Sequence, residues 1–231
     1  MSQGPLAVRW GAPPVLQPQA GTTVFVQVEL ENAGALPWGP TVALASHWLD
    51  LRDNPIDWDG PRNDLPPLGP GEGARVEARV RVPIPPGRYR LALDLVAEHR
   101  AWFSELGSVM LTQDVEVLPR TGEPNAVLPN GVEPAAGWAE RVRAAHAEGY
   151  GVVAGAVDWP RRLGRRHPRE LEPYAPGQGR VPGFSAPLLC PSVLAGIELE
   201  QIGEVAGLPA FAAPRDERWV FDGRAVLRVV R

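Results

Sequence analysis

The sequence contains no lysine: all 23 of its basic residues are arginine. That absence excludes Schiff-base catalysis and the phosphate-gripping lysine of nucleotide-binding loops, because arginine stays protonated and cannot take either role. An all-arginine complement reads as codon bias in a GC-rich genome. Cysteine is nearly absent too. A single residue, Cys190, permits no intramolecular disulfide, which argues against a disulfide-stapled secreted module and for a reducing, cytoplasmic setting. The N-terminal stretch MSQGPLAVRWGAPP lacks a charged segment followed by an apolar one, so no signal peptide is expected. No run approaches the roughly 18 apolar residues of a membrane span, so no membrane partner is expected either. The four histidines show no HxH or HExxH spacing, so neither a metal nor any other cofactor is expected. A net charge of −4 and a pI near 5.6 make nucleic acid an improbable partner.

What is abundant is turn chemistry. The chain carries 27 prolines and 25 glycines in 231 residues, about twice the usual combined share, which favours short elements over long helices. From residue 5 to about 118 the apolar pattern has a period of two. Val24, Val26, Val28 and Leu30 alternate with Phe25, Gln27 and Glu29; Val76, Ala78, Val80 and Val82 alternate with arginines and Glu77. Tyr89, Leu91, Leu93 and Leu95 alternate with Arg88, Arg90, Ala92 and Asp94. Such alternation predicts strands with one face in a core and one in water. Pro37, Gly60-Pro61, the run PPLGPGEG and Pro85-Pro86-Gly87 separate them. The fold class expected is mostly β: an antiparallel immunoglobulin-like β-sandwich of about seven strands over residues 1–118, followed by a small α+β region. Tyr89 stands where a tyrosine corner is expected, its hydroxyl bonding to nearby backbone.

Residues 119–137 are rich in proline and glycine, have no period, and read as a linker. Residues 138–231 read as the small α+β domain or extension. Trp138, Val142 and Ala145 have helical spacing before Gly149, and Gly151–Asp158 is a buried-strand run. A second helix is predicted over Ser192–Ala206, and a hairpin at Asp222-Gly223.

With the strands placed, an ordered set of residues resembles the four-tryptophan (FW) domain, the immunoglobulin-like module of selective-autophagy receptors with many bacterial relatives. Glu31-Asn32-Ala33-Gly34 precedes Pro37-Trp38; Pro70-Gly71-Glu72, Pro86-Gly87 with Tyr89, and Trp102-Phe103 follow in order. Trp10 is a further candidate. The resemblance covers roughly residues 5–118, and residues 119–231 match no known pattern. It implies a non-enzymatic binding module, in bacteria an accessory to other domains that include sugar-transfer enzymes.

Chemistry is sparse. The acidic stretch IDWDGPRND suggests a calcium loop, but Gly60 in the sixth place would put Pro55 first and Pro66 twelfth, where Asp and Glu ligands belong. A polar hairpin flanked by Trp48 and Trp58 is the better reading, and those indoles are candidate binding residues. The segment RRLGRRHPR gathers Arg161, Arg162, Arg165, Arg166, His167 and Arg169, a candidate anion or partner surface that Glu170 and Glu172 could neutralise. Cys190 could act as a nucleophile with His146 or His167 as base and Asp158 as orienter, although it sits between leucines and a proline. The glycines of YAPGQGRVPG do not make a phosphate-binding pattern. The function expected is binding or assembly through a protein partner or self-association, without catalysis. The rival is a component of a carbohydrate-active system, with a glycan as ligand and the sandwich presenting substrate.

Overall fold

The computed structural model describes residues 5–158, 174–178, 187–205 and 207–230. The chain divides into two compact units, Met1–Leu118 and Pro119–Arg231.

The first unit is built from β1 (Val8–Trp10), β2 (Thr23–Asn32), β3 (Val42–Leu49), β4 (Pro55–Asp57), β5 (Asn63–Asp64), β6 (Gly73–Arg81), β7 (Gly87–Ala97), β8 (Ala101–Trp102) and β9 (Leu111–Val117). One sheet has the order β1-β2-β6; in the other, β3 pairs β7, with β4 and β5 on the free side of β3 and β8 and β9 on that of β7. Every pairing between these strands is antiparallel, while Gln19 makes a parallel bridge to Leu118. The N-terminal segment therefore starts in one sheet and crosses to the other, the arrangement of an immunoglobulin-like sandwich. The core follows the expected alternation: Val26, Val28 and Leu30 from β2 and Ala78 and Val80 from β6 meet Leu44, Trp48, Leu91, Leu93 and Leu95. Each such buried Val or Leu contributes roughly 1.5–3 kcal/mol over leaving it in water. Tyr89 Oη donates to the Pro85 carbonyl at 2.6 Å, the corner bond expected of it.

Asn32 fastens the loops at one end of this sandwich. Fully buried, its amide donates to the carbonyls of Leu36 and Leu68, both at 2.9 Å, and its carbonyl accepts from the Gly34 N–H at 3.0 Å. Gly34 is fixed by close approach, since a Cβ there would lie 2.6 Å from the Pro5 carbonyl. Trp38 follows, its backbone N–H bonded to Leu68 at 2.9 Å and its indole edge-on to Phe103 at 5.7 Å.

One expectation for the strands needs correcting. Alternation assigned Ala92 and Asp94 to water, yet every residue of β3 and the second half of β7 is buried on both faces. Small side chains on the outer face, Ala43, Ala45 and Ala92, leave room for aromatic groups that cover it.

The second unit comprises β10 (Pro124–Ala126), β11 (Val132–Pro134), α1 (Trp138–Glu148), β12 (Val152–Asp158), β13 (Tyr174–Gln178), β14 (Leu188–Leu189), β15 (Ser192–Leu194), β16 (Glu200–Val205), β17 (Leu208–Ala212) and β18 (Arg218–Val229). Its main sheet runs β10-β15-β12-β18-β11, with β13 also on β18, and β14-β17-β16 form a second sheet. The stretch read as a linker thus supplies two edge strands, because β15 and β18 offer open backbone to Asn125 and Glu133. The described part of the predicted helix Ser192–Ala206, which ends at Val205, is not helical. Gly196 takes φ +84°, which ends β15 in a turn, and Glu200–Val205 pairs with β17 instead. Asp222-Gly223 is not a hairpin, since β18 is paired on both sides and absorbs the extra residues as a bulge opposite Gly155 and Val157. Trp138, Val142, Ala145 and His146 are the buried side of α1.

Replacing Asn32 with Ala strands the buried Leu68 carbonyl and Gly34 N–H and frees the part-buried Leu36 carbonyl, so Asn32→Ala should lower unfolding stability by about 2–4 kcal/mol. Urea unfolding should show this as a lower midpoint with an unchanged slope; a variant within 0.5 kcal/mol or so of the parent would contradict the role.

Candidate functional site

Two consecutive prolines shape a groove on the surface of the sandwich. β1 runs along the end of β2, and its last bond is the Gly11 N–H to the Glu29 carbonyl at 2.8 Å. Pro13 and Pro14 then have no N–H to give, so the ladder cannot continue. The chain leaves β2 and joins the other sheet, where Ala20 donates to Leu118 at 2.8 Å and Leu118 to Pro18 at 2.9 Å. Between the departing strap, Ala12–Leu16, and β2 lies a groove of about 480 Å³.

The floor of this groove is an unpaired strand edge. Successive residues of a strand direct their N–H and C=O to opposite sides. Glu29 faces β1, so Gln27 and Phe25 face the same way, while Val24, Val26 and Val28 turn theirs to β6. Among the described residues no strand pairs with Phe25 or Gln27 on that side. Val15 at 99% exposed and Phe25 at 62% form an apolar rim, and Glu29 and Arg75 close one end.

The second candidate is the aromatic cover on the outer face of β3 and β7. Trp58 stacks on His47 with ring centroids 4.0 Å apart, Trp102 meets His47 edge-on at 4.5 Å, and the Arg62 guanidinium lies 4.9 Å over Trp102. Arg62 is held by Asp59 at 2.7 Å and Glu98 at 2.6 Å. His47 Nδ1 donates to the Trp58 carbonyl, which leaves Nε2 as a buried lone pair with no partner among the described residues. Burial holds His47 below the usual imidazole range, against the opposing pull of the Trp58 bond and of Asp94. Asp94, also fully buried, is pushed up by desolvation, partly offset by bonds from Ser104 and the Leu95 N–H. With Arg62 and Trp102 engaged by their neighbours, this cluster reads first as a lid over the sheet. One face of Trp58, 39% exposed, remains to solvent.

The predicted site residues separate accordingly. Trp48 is 1% exposed and belongs to the core: it shares the inward parity of Val42 and Leu44, meets Tyr89 edge-on and donates to the Arg81 carbonyl at 2.7 Å. It cannot reach a ligand, which corrects its assignment as a binding residue. Trp58 does reach the surface. Arg161, Arg162, Arg165, Arg166, His167 and Arg169 lie outside the described residues. The acids of IDWDGPRND are spent locally: Asp59 pairs with Arg62, and Asp64 and Asp57 sit in strands beside β3. Among the described residues no group of three or more His, Cys, Asp and Glu is placed to hold a metal ion. The groove residues Phe25 and Val15 escape a reading by periodicity; the signal that points to them is Pro13-Pro14 directly after a short strand.

The nucleophile candidates are not assembled. Burial pushes the Cys190 thiol up to about 11, the wrong direction for a thiolate. His146 donates from Nδ1 to the Tyr150 carbonyl at 2.7 Å and accepts at Nε2 from the Ser192 hydroxyl at 3.0 Å, leaving neither nitrogen for Cys190. That serine–histidine contact has nucleophile–base geometry, but Ser192 is 1% and His146 4% exposed, so substrate has no access. Asp158 is exposed at the end of β12. Arg120 forks onto Glu217 at 2.7 and 3.0 Å, a structural clip between the start of the second unit and β18.

No protein-family model and no curated protein matches the sequence. Among solved structures it is similar to a CARDB domain from Pyrococcus furiosus (19% identity, 49% of this chain and 94% of that one, TM-score 0.31). It is also similar to a putative beta-galactosidase from Bacteroides fragilis (16% identity, 66% of this chain, TM-score 0.27), of which it spans 20%. Scores this low carry no functional argument. Among the described residues no helix is long and apolar enough to cross a membrane.

Two titrations follow. The unfolded chain has an ordinary imidazole near 6.5 at His47, and the fold binds that proton less well. Stability should therefore fall as pH drops below that value, because the unfolded state takes up more protons. Asp94 has the opposite sign: its raised value costs stability as pH rises through the window above its ordinary 3.8. His47→Gln should show a smaller drop in urea midpoint between about pH 7.5 and about pH 5.5 than the parent; an unchanged drop would count against the His47 assignment. For Cys190, a disulfide reagent at about pH 8 should leave the native thiol unmodified and label it on denaturation, since burial and a raised pKa both suppress the thiolate.

Proposed function

We propose that this protein is a non-catalytic binding module whose immunoglobulin-like unit, of FW kind, engages a protein partner in a reducing, cytoplasmic setting. The observation that carries this reading is the unpaired edge of β2 beside an apolar rim. Exposed sheet edges are templates for another chain, and proteins ordinarily blunt or cover them. The resemblance of Asn32, Gly34, Trp38, Pro70-Gly71 and Trp102-Phe103 to the FW pattern supports the same reading, since those residues build loops, core and the aromatic cover of β3 and β7 and leave the β2 edge free for a partner. The second unit, including the Arg161–Arg169 segment, is proposed to contribute a further contact surface rather than an active site.

A carbohydrate-linked role has one observation in its favour, the exposed face of Trp58, because sugars stack on such faces. Panning the full-length protein against a random-peptide display library, in parallel with a glycan array, separates the two. The protein-binding reading expects enrichment of a shared peptide pattern over bare matrix. Glycan hits without peptide enrichment would overturn it in favour of the carbohydrate role.

A further inference from the structure

We propose that the groove beside β2 is a strand-addition site: a single extended peptide segment docks there antiparallel to β2, in the line that β1 vacates at Gly11. The inference rests on the binding-module reading and assigns its place and the form of its ligand.

Backbone geometry dictates the form. β1 approaches β2 antiparallel, with Trp10 opposite Leu30, and bonds as far as Glu29. Extending that line sets the next partners opposite Gln27 and Phe25, each presenting one N–H and one C=O. An added strand supplies the four complementary groups that Pro13 and Pro14 carry the chain away from. Its residues opposite Phe25 and Gln27 point outward, beside an aromatic ring and an amide. The residue between them, opposite Val26, points inward toward Val24, Val26 and Leu16 and must be apolar. The ligand is thus a short alternating segment with a β-branched or other compact apolar residue at the inward position.

The strap decides against a second copy of this chain. Ala12–Leu16 walls the open side of the groove, and an approaching copy would bring its own strap to the same place. At about 3.3 Å per residue, the edge from Thr23 to Gln27 suits a segment of about five residues.

The test uses the full-length protein, amide hydrogen exchange by NMR, and a synthetic seven-residue peptide alternating threonine and valine with arginine at each end. In the free protein the Phe25 and Gln27 amides should exchange much faster than those of Val24 and Val26, which bond to β6. Saturating peptide should slow Phe25 and Gln27 by about tenfold or more, and N-methylating the two peptide amides that face them should weaken binding by about tenfold. Val15→Arg and Phe25→Arg change only exposed side chains and should each weaken it several-fold. Protection of Phe25 and Gln27 in the free protein would overturn the proposal, as would binding indifferent to N-methylation or shifts confined to residues far from β2. Concentration-dependent dimerisation abolished by Phe25→Arg would overturn it in favour of self-association. Peptides from the display library that bind elsewhere would defeat this proposal while leaving the binding-module reading intact.

Discussion

The first unit depends on a buried amide. Asn32 sits where the last residue of β2 must stop being a strand and where three loops converge. A single side chain closes the carbonyls of Leu36 and Leu68 and the N–H of Gly34, while its own backbone N–H and carbonyl bond to Glu72 and Gly71. Buried backbone groups left unpaired would each cost about 1–3 kcal/mol. A hydrophobic side chain of the same size could fill the space but would orphan all three partners. An aspartate would offer no donor to the two carbonyls and would bring a charge into a fully buried site. Only a side chain with both a donor pair and an acceptor on one planar group satisfies this corner. Trp38 and Leu68 are set in place by the same loops, so the core at this end follows from the hydrogen bonding.

Much of this was legible in the sequence. Alternation named the core-facing residues of β2, β6 and β7, turn residues marked the breaks, and Tyr89 declared its corner bond. What alternation could not show was the burial of the outer face of β3 and β7. That burial depends on Trp58 and Trp102 folding back over His47, contacts between segments that no local period encodes. Trp48 and Trp58 flank one hairpin and look alike in sequence, yet ten positions of register and a turn send one into the core and the other to the surface.

The second unit is less legible in sequence for a related reason. Ser192–Ala206 has apolar residues at helical spacing, but neighbouring strands were available to pair with it and Gly196 broke the helix before it could compete. Asp222-Gly223 carries a hairpin signal that local chemistry supports, since Asp222 accepts from the Arg224 N–H at 2.9 Å. Tertiary pairing on both sides of β18 overrode it. The Arg120–Glu217 fork shows the same dominance of distant contacts: its partners are 97 positions apart, and nothing in either neighbourhood announces the other.

The prolines that open the β2 edge also limit what can use it. An unprotected edge of apolar alternation invites sheet-to-sheet association, which natural proteins suppress with proline, charge or a covering segment. Here Pro13 and Pro14 end β1 early, and the strap they begin runs beside the gap instead of filling it. The same two residues therefore withdraw one strand from the sheet and leave a fence at its border. A fence of that kind discriminates by thickness: one extended chain can slide beside β2, whereas the edge of another folded sheet arrives with neighbours that collide with the strap. Glu29 and Arg75, facing each other across β2 and β6 at the end of the groove, add charge where an intruding sheet would have to continue. Openness to a single strand and resistance to aggregation thus come from one local feature of the sequence, the failure of proline to donate a hydrogen bond.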